Sequence, residues 1–298
     1  MYKIGFHTNS RVGDTLEEIL SRIKAAGFEY VMLDTKHGEL ENAIKLAQEI
    51  GLKVHAVHLP YRFPNERNSN DFWIPGEASK TLVQSVIKYI KTCRKYDVPV
   101  AVFHQSYKQP QLAREIHSES QGIKSFQKIL KATKNCNVKL ALENLNPGDN
   151  KYMEVLLDNI ADPRLGFCYD CGHNYLYTPE IDFIAKYGDR VIAVHLQDNL
   201  MDAPDINQSN RDIHLLPFDG KIDFKKVMRD IAKSKYNGPI MLEAKYKRDR
   251  YETSYKDMPP TEFLQEARKR GIKLAKMLDE AKSSVYNDRC KRKRVDTR

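Results

Sequence analysis

Long apolar runs are missing from this sequence. None approaches the roughly 18 residues that a membrane-spanning helix requires, which points away from a helical membrane protein. The opening stretch, Met1-Tyr2-Lys3-Ile4-Gly5, lacks the apolar segment of a secretory signal. Cysteine is scarce and odd in number: Cys93, Cys136, Cys168, Cys171 and Cys290. Their spacing fits no disulfide framework, so reduced thiols in a cytoplasm are expected. No Gly-x-Gly-x-x-Gly follows the first apolar run, which argues against a dinucleotide-binding sheet. No linker, repeat or low-complexity segment divides the 298 residues.

What is present describes an ordinary globular chain, 41% hydrophobic and 30% charged. The formal net charge of +9 raises the question of nucleic acid, so its location matters. Residues 282–298 hold seven Lys and Arg against two Asp, which accounts for +5 and leaves the body only mildly basic. A basic, unstructured tail over 283–298 is expected after a folded domain over 1–282, its charges simply solvated.

Within the body, short apolar segments alternate with amphipathic ones. The strand candidates are residues 4–7, 30–34, 53–58, 100–104, 139–143, 165–169, 191–196 and 239–243. The intervening helices are placed over 15–26, 40–50, 78–96, 123–133, 152–160, 181–187, 224–234 and 261–282. Thr15 and Glu18 stand at capping-box spacing, and Gly27 and Gly51 are natural residues to follow a helix end. Strands apolar on both faces and separated by helices indicate a parallel sheet covered on both sides. Eight such units predict an α/β fold, a single (β/α)8 TIM barrel.

Such a barrel points all its strand C-termini to one face, where active sites are built. The strand-final residues are His7, Asp34, His58, His104, Glu143, Asp170, His195 and Glu243. Capping alone would give a more mixed set. His173 follows Asp170 by three residues, and a later loop carries Asp212-Ile213-His214. Carboxylates and imidazoles gathered on one face are what a divalent metal needs. Phe72 and Trp73 are expected in the core beneath the third helix rather than in a pocket wall. Cys168-x-x-Cys171 has no second pair and lies in strand six, which disfavours a zinc or redox reading.

The segments Ala141-Leu142-Glu143-Asn144, Tyr169-Asp170-Cys171-Gly172-His173, Val194-His195-Leu196-Gln197-Asp198, Asp212-Ile213-His214-Leu215 and Leu242-Glu243 resemble the xylose-isomerase-like barrel superfamily. That group holds sugar isomerases and epimerases and is related to endonuclease IV. The resemblance spans the body from Ile4 to about Lys282. It implies a central metal held by Glu143, Asp170, His195 and Glu243, with Glu143 and Glu243 also acting as base and acid. It implies that His173 meets substrate oxygen. In the endonuclease IV pattern His58, His104, His173, Asp212 and His214 would be ligands to further ions.

Three carboxylates and one imidazole suit Mn²⁺, Mg²⁺ or Co²⁺, with Zn²⁺ also open. The expected function is a metal-dependent isomerase or epimerase of a small sugar, sugar phosphate or related keto or polyol compound. It would work by proton abstraction and a metal-stabilised enediolate. The alternative is a three-zinc phosphodiesterase cutting abasic DNA, although the loop Leu215-Leu216-Pro217-Phe218-Asp219-Gly220 is closer to isomerase-like members. His7 and Lys245 join His173 as candidate substrate contacts; Lys245, with Lys247, Arg248 and Arg250, is suited to a phosphate or carboxylate or else is simply solvated. A carbohydrate is the expected partner, nucleic acid comes second, and a homo-oligomer is left open.

Overall fold

The computed structural model describes residues 2–64, 67–108, 118–200, 212–247, 255 and 257–295, with side chains described as far as 287. Its strands are β1 Ile4–His7, β2 Tyr30–Asp34, β3 Lys53–His58, β4 Val100–Phe103, β5 Lys139–Glu143, β6 Leu165–Asp170, β7 Val191–His195 and β8 Ile240–Leu242. They are parallel neighbours in the order β7-β6-β5-β4-β3-β2-β1-β8. A parallel bridge between Leu196 and Leu242 closes the ring. There Leu196 N–H donates to Met241 O and Glu243 N–H to Leu196 O, both at 3.0 Å. The expected (β/α)8 barrel is therefore the observed one.

Alternation of side chains along each strand, the period-2 geometry of extended backbone, sorts the residues into two cores. Met32, Ala56, Val100, Val102, Ala141, Cys168, Ala193 and Met241 point inward and fill the barrel. Their neighbours, among them Val31, Val57, Phe103, Leu142, Phe167, Val194 and Leu242, point outward against the helices. One further step of the same alternation turns His58, His104, Glu143, Asp170, His195 and Glu243 back inward, above the apolar plug. Each strand thus buries two hydrophobic faces, and a polar residue stands at its end or just past it.

The helices are α1 Leu16–Ala25, α2 Leu40–Glu49, α3 Glu77–Lys95, α4 Glu119–Ala132, α5 Pro147–Asn159, α6 Cys171–Tyr177, α7 Phe183–Tyr187, α8 Phe224–Lys233 and α9 Pro260–Val295. Thr15 caps α1 by accepting the Glu18 N–H, and Gly27 and Gly51 take positive φ past the ends of α1 and α2, as their sequence positions predict. Phe72 and Trp73 are fully buried, with the indole N–H of Trp73 on Gln105 O at 2.7 Å.

Several boundaries differ from the sequence reading. α4 and α5 start earlier, because Ser118 and Asn146 cap them and Pro147 fits a first helical position. α6 was not expected at all: Asp170 ends β6 and at once caps a helix, accepting the His173 N–H. α9 keeps helical backbone to Val295, beyond the Lys282 at which the sequence reading ends it. None of the described helices is long and apolar enough to cross a membrane.

Two β-bulges mark the lower barrel. β3 skips His55 in its pairing with β2, and β7 skips Ile192 in its pairing with β6. His55 lines a cavity of about 550 Å³ with Tyr2, Lys3, Tyr30 and Asn237, at the end of the barrel opposite the inward polar residues.

Candidate metal centre

At the C-terminal mouth of the barrel, ligand atoms of Glu143, Asp170, His195 and Glu243 all lie within 4.8 Å of one another. Nδ1 of His195 stands 2.9 Å from Glu243 Oε2, 3.2 Å from Glu143 Oε1 and 3.8 Å from Asp170 Oδ2. All four residues are buried. Three carboxylates in one dry pocket repel each other strongly unless a cation sits among them. Two flanking groups meet the same test: His58, His104 and Glu143, and His173, Asp212 and His214. Glu143 is the shared member, its carboxylate within 3.3 Å of nitrogens of His58, His104, His173 and His195.

Ring tautomers sharpen this. A backbone carbonyl can only accept, so a ring nitrogen bonded to one must carry the proton. Nδ1 of His58 donates to Leu59 O at 3.0 Å, that of His173 to Asn144 O at 3.0 Å and that of His214 to Glu243 O at 2.8 Å. In the neutral rings Nε2 therefore presents a lone pair. These lone pairs face carboxylate oxygens: His58 on Glu143 at 3.3 Å, His173 and His214 on Asp212 at 3.5 and 2.9 Å. A lone pair facing a carboxylate at such distances calls for a cation between them: a proton on the ring, toward which acidic neighbours shift His58 and His173 against burial, or a metal ion. The donor set, with its outer N–H groups already satisfied, fits a divalent metal.

The local sequence holds each donor in place. Asp170 is fixed from three directions: the His173 N–H on Oδ1 at 2.7 Å, Gln197 Nε2 on both oxygens at 3.3 and 3.1 Å, and a reciprocal pair between its backbone and the Asn144 amide at 2.8 Å. Gly172 makes room for this: a Cβ there would stand 2.7 Å from Gln197. Asn199 Oδ1 accepts the N–H groups of Ile213 and His214, which fixes the Asp212–His214 segment, with His214 itself at a left-handed φ of 54°. On the opposite wall the Tyr61 ring stacks on His104 with centroids 4.7 Å apart, and Tyr107 stacks on Tyr61.

In the metal-free protein burial opposes charge on Glu143 and Glu243, yet neighbouring imidazoles in their protonated form, His195 foremost, outweigh it and hold both carboxyls well below the usual range. Asp170 goes the other way: burial pushes it up to about 7. His7 is pushed down to about 3, chiefly by burial. Its Nε2 donates to Ala244 O at 2.9 Å, leaving a buried Nδ1 lone pair 4.0 Å from Glu243 Oε1.

All nine proposed ligands and His7 therefore converge on one face. Lys245 follows β8 beside them: its N–H donates to His214 O at 2.8 Å and its charge acts on His7 and His214. Lys247 instead lies over the Tyr246 ring, and Arg248 and Arg250 fall outside the described residues. Asp34 is a correction to the all-functional reading of the strand ends. Its side chain accepts the Lys36 N–H and caps a 3-10 turn, the ordinary work of a short carboxylate there. Sequence reading gave Asn144, Gln197 and Asn199 no role, although the first two stand in the quoted motif segments, Asn144 directly after β5 and Gln197 two residues past β7. Cys168 and Cys171 are free thiols in no common metal group, and Cys168 stands instead with Glu143 and His195.

The protein is thus a (β/α)8 barrel whose C-terminal mouth carries buried carboxylates and imidazoles that could hold a metal. Residues 20–275 match the family of the xylose isomerase-like TIM barrel, and the chain belongs to that family. It is 25% identical over 299 residues to an uncharacterised protein, y4fM, of Sinorhizobium fredii, covering 90% of this chain and 91% of that one. Against an inosose dehydratase of Salmonella typhimurium it is 26% identical over 162 residues, half of each chain. Among solved structures, a D-tagatose 3-epimerase-like protein superposes with a TM-score of 0.69 at 21% identity, covering 95% of this chain and 99% of that one. The IolI protein with a bound zinc atom superposes with a TM-score of 0.68 at 14% identity, covering 94% and 99%.

Proposed function

We propose that this protein is a divalent-metal-dependent isomerase or epimerase of a small sugar or related keto compound. The observation that carries the reading is the placement of Glu143 and Glu243. They stand at the ends of β5 and β8, both in the four-donor group, with carboxyls held ionised by their neighbours. Glu143, Asp170, His195 and Glu243 would hold the ion: Mn²⁺, Mg²⁺, Co²⁺ or Zn²⁺. When bound, it supplies a Lewis acid that makes the hydrogen beside a substrate carbonyl acidic. One glutamate takes that proton from carbon, and the same or the other returns one, on the opposite face for epimerisation or at the neighbouring carbon for isomerisation. The His7 Nδ1 lone pair accepts from a substrate hydroxyl, and His173 meets a second oxygen. Lys245 is suited to an anionic group on the substrate. Relatives named for sugar or inosose chemistry support this class of substrate, and free thiols agree with work in a reducing compartment such as the cytoplasm.

The test is solvent exchange. Incubated in D₂O with a panel of ketoses and their phosphates, the metal-loaded protein places deuterium beside the carbonyl of its substrate or shuttles the original proton. Glu143→Gln and Glu243→Gln lower that turnover by at least about 10²-fold, the typical contribution of an acid–base group. Normal turnover in both variants would sink the mechanism. A second reading, a three-zinc phosphodiesterase acting on abasic DNA, is favoured by one observation: nine donors sort into three groups around Glu143 and Asp212. Three tightly held zinc ions, with cleavage of abasic DNA and no ketose turned over, would establish it instead.

A further inference from the structure

His7, His58, His173 and His214 each anchor one ring N–H on a backbone carbonyl. His195 is anchored differently. Its Nδ1 faces Glu143, Asp170 and Glu243, so in the neutral, metal-binding ring the proton sits on Nε2. That Nε2 is buried and makes no hydrogen bond, to sulfur or otherwise, among the described residues. The polar group against the ring is the thiol of Cys168. It belongs to the inward layer directly beneath the site, pairs in register with Glu143, and stands with ligand atoms of Glu143 and His195 inside 4.8 Å.

We propose that Cys168 is a positioning residue: once a metal sits on Nδ1, its nearby Sγ takes up the unpartnered His195 Nε2–H and holds the ring with Nδ1 turned to the central carboxylates. This inference rests on the metal reading above and adds to it. Alternation along β6 accounts for the pairing. Asp170 and Cys168 are two residues apart and point the same way, so the strand that supplies a ligand also supplies, one layer below, the support for the ligand on β7. Asp170 pairs with His195 across the same two strands. Burial pushes the Cys168 thiol up to about 12, so it stays a neutral group of modest polarity that fits an otherwise apolar layer. Sulfur is a weak acceptor. It fixes ring orientation without drawing the charge onto the imidazole that a carboxylate partner would.

The test is Co²⁺ binding to chelator-treated full-length protein, read by visible absorption and independent of any substrate. Cys168→Ala should raise the Co²⁺ dissociation constant by about tenfold, the low end of what loss of an outer partner costs. Cys168→Ser, whose hydroxyl accepts the same N–H, should recover most of that loss. A residue that merely fills space would lower the melting temperature in both variants and leave Co²⁺ affinity alone, which overturns the inference. A Cys168→Ser protein that folds and binds as weakly as Cys168→Ala overturns it too. Should the Ala variant fail to fold, the Ser variant decides: affinity close to wild type upholds the anchor, and a loss of about tenfold removes it. If wild type itself takes up no Co²⁺, the metal reading and this inference fall together. If wild type binds and Cys168→Ala binds equally well, only this inference falls.

Discussion

Burial pushes the Asp170 carboxyl up to about 7, and the charges of Glu143 and Glu243 push the same way against His173. A carboxyl whose folded pKa lies above its unfolded value stabilises the fold at low pH, and that stability is lost as pH rises from about 4 to 7. Asp170→Asn should therefore make the metal-free protein relatively more stable at pH 7 than at pH 5. Paired thermal melts of chelated wild type and variant check this; a pH-independent difference would show that Asp170 is ionised throughout. Metal occupancy responds in the opposite sense, because the ion takes the ionised form. Asp170→Ala and His195→Ala should each lose metal and activity together while the barrel still melts cooperatively. At this scale the proposed ligands were legible because a strand's last inward residue follows from period-2 counting. Asp34 was misread for the same reason, since counting cannot tell a ligand from a cap.

At the scale of the element, two features escaped the sequence for physical reasons. α6 is a single short helix whose cap is also a proposed ligand, and nothing in the hydrophobic pattern marks Gly172 as a close approach. Adding a methyl at Gly172 drives it toward Gln197, the residue that grips Asp170. Gly172→Ala should cost about 1–3 kcal/mol by overpacking and weaken Co²⁺ binding as well; unchanged denaturation and metal titrations would contradict this. The bulge at His55 leaves no trace in the hydrophobic pattern, because alternation is broken only in the pairing. It holds an imidazole pushed down to about 4 by burial, with a buried Nε2 that makes no hydrogen bond among the described residues. A folded pKa below the unfolded one means stability present above pH 6.5 and lost as pH falls toward 4. His55→Leu should remove that slope, so its advantage over wild type grows on acidification. Denaturant curves at pH 4.5 and 7.5 that shift in parallel would refute it.

For the whole molecule, eight strand–helix units and the clustering of Glu143, Asp170, His195 and Glu243 on one face could be read before any coordinates. Hydrophobic periodicity and the shared polarity of a parallel sheet dictate both. The roles of the amide side chains of Asn144, Gln197 and Asn199 could not be read, since their hydrogen bonds reach partners 14 to 27 residues away that only the folded chain brings near. We propose that the basic residues beyond 287 are an appendage to this barrel. Deleting 288–298 should leave the melting temperature and turnover of small substrates unchanged, and a large loss in either would tie that segment to the site or to a second copy.

The ring of strands is sewn unevenly. Between β7 and β8 the described backbone makes two hydrogen bonds, at Leu196 and Glu243, where the other neighbours share longer ladders. His195 and Glu243 stand on either side of this seam, so an ion gripped by both would act as a clasp across it. The Leu196 and Glu243 amides should then exchange their hydrogens with solvent readily in the stripped protein and become slow on loading, while those inside β5 and β6 hardly change. The same ion that serves chemistry at the mouth would thereby decide how often the cylinder springs open along its length.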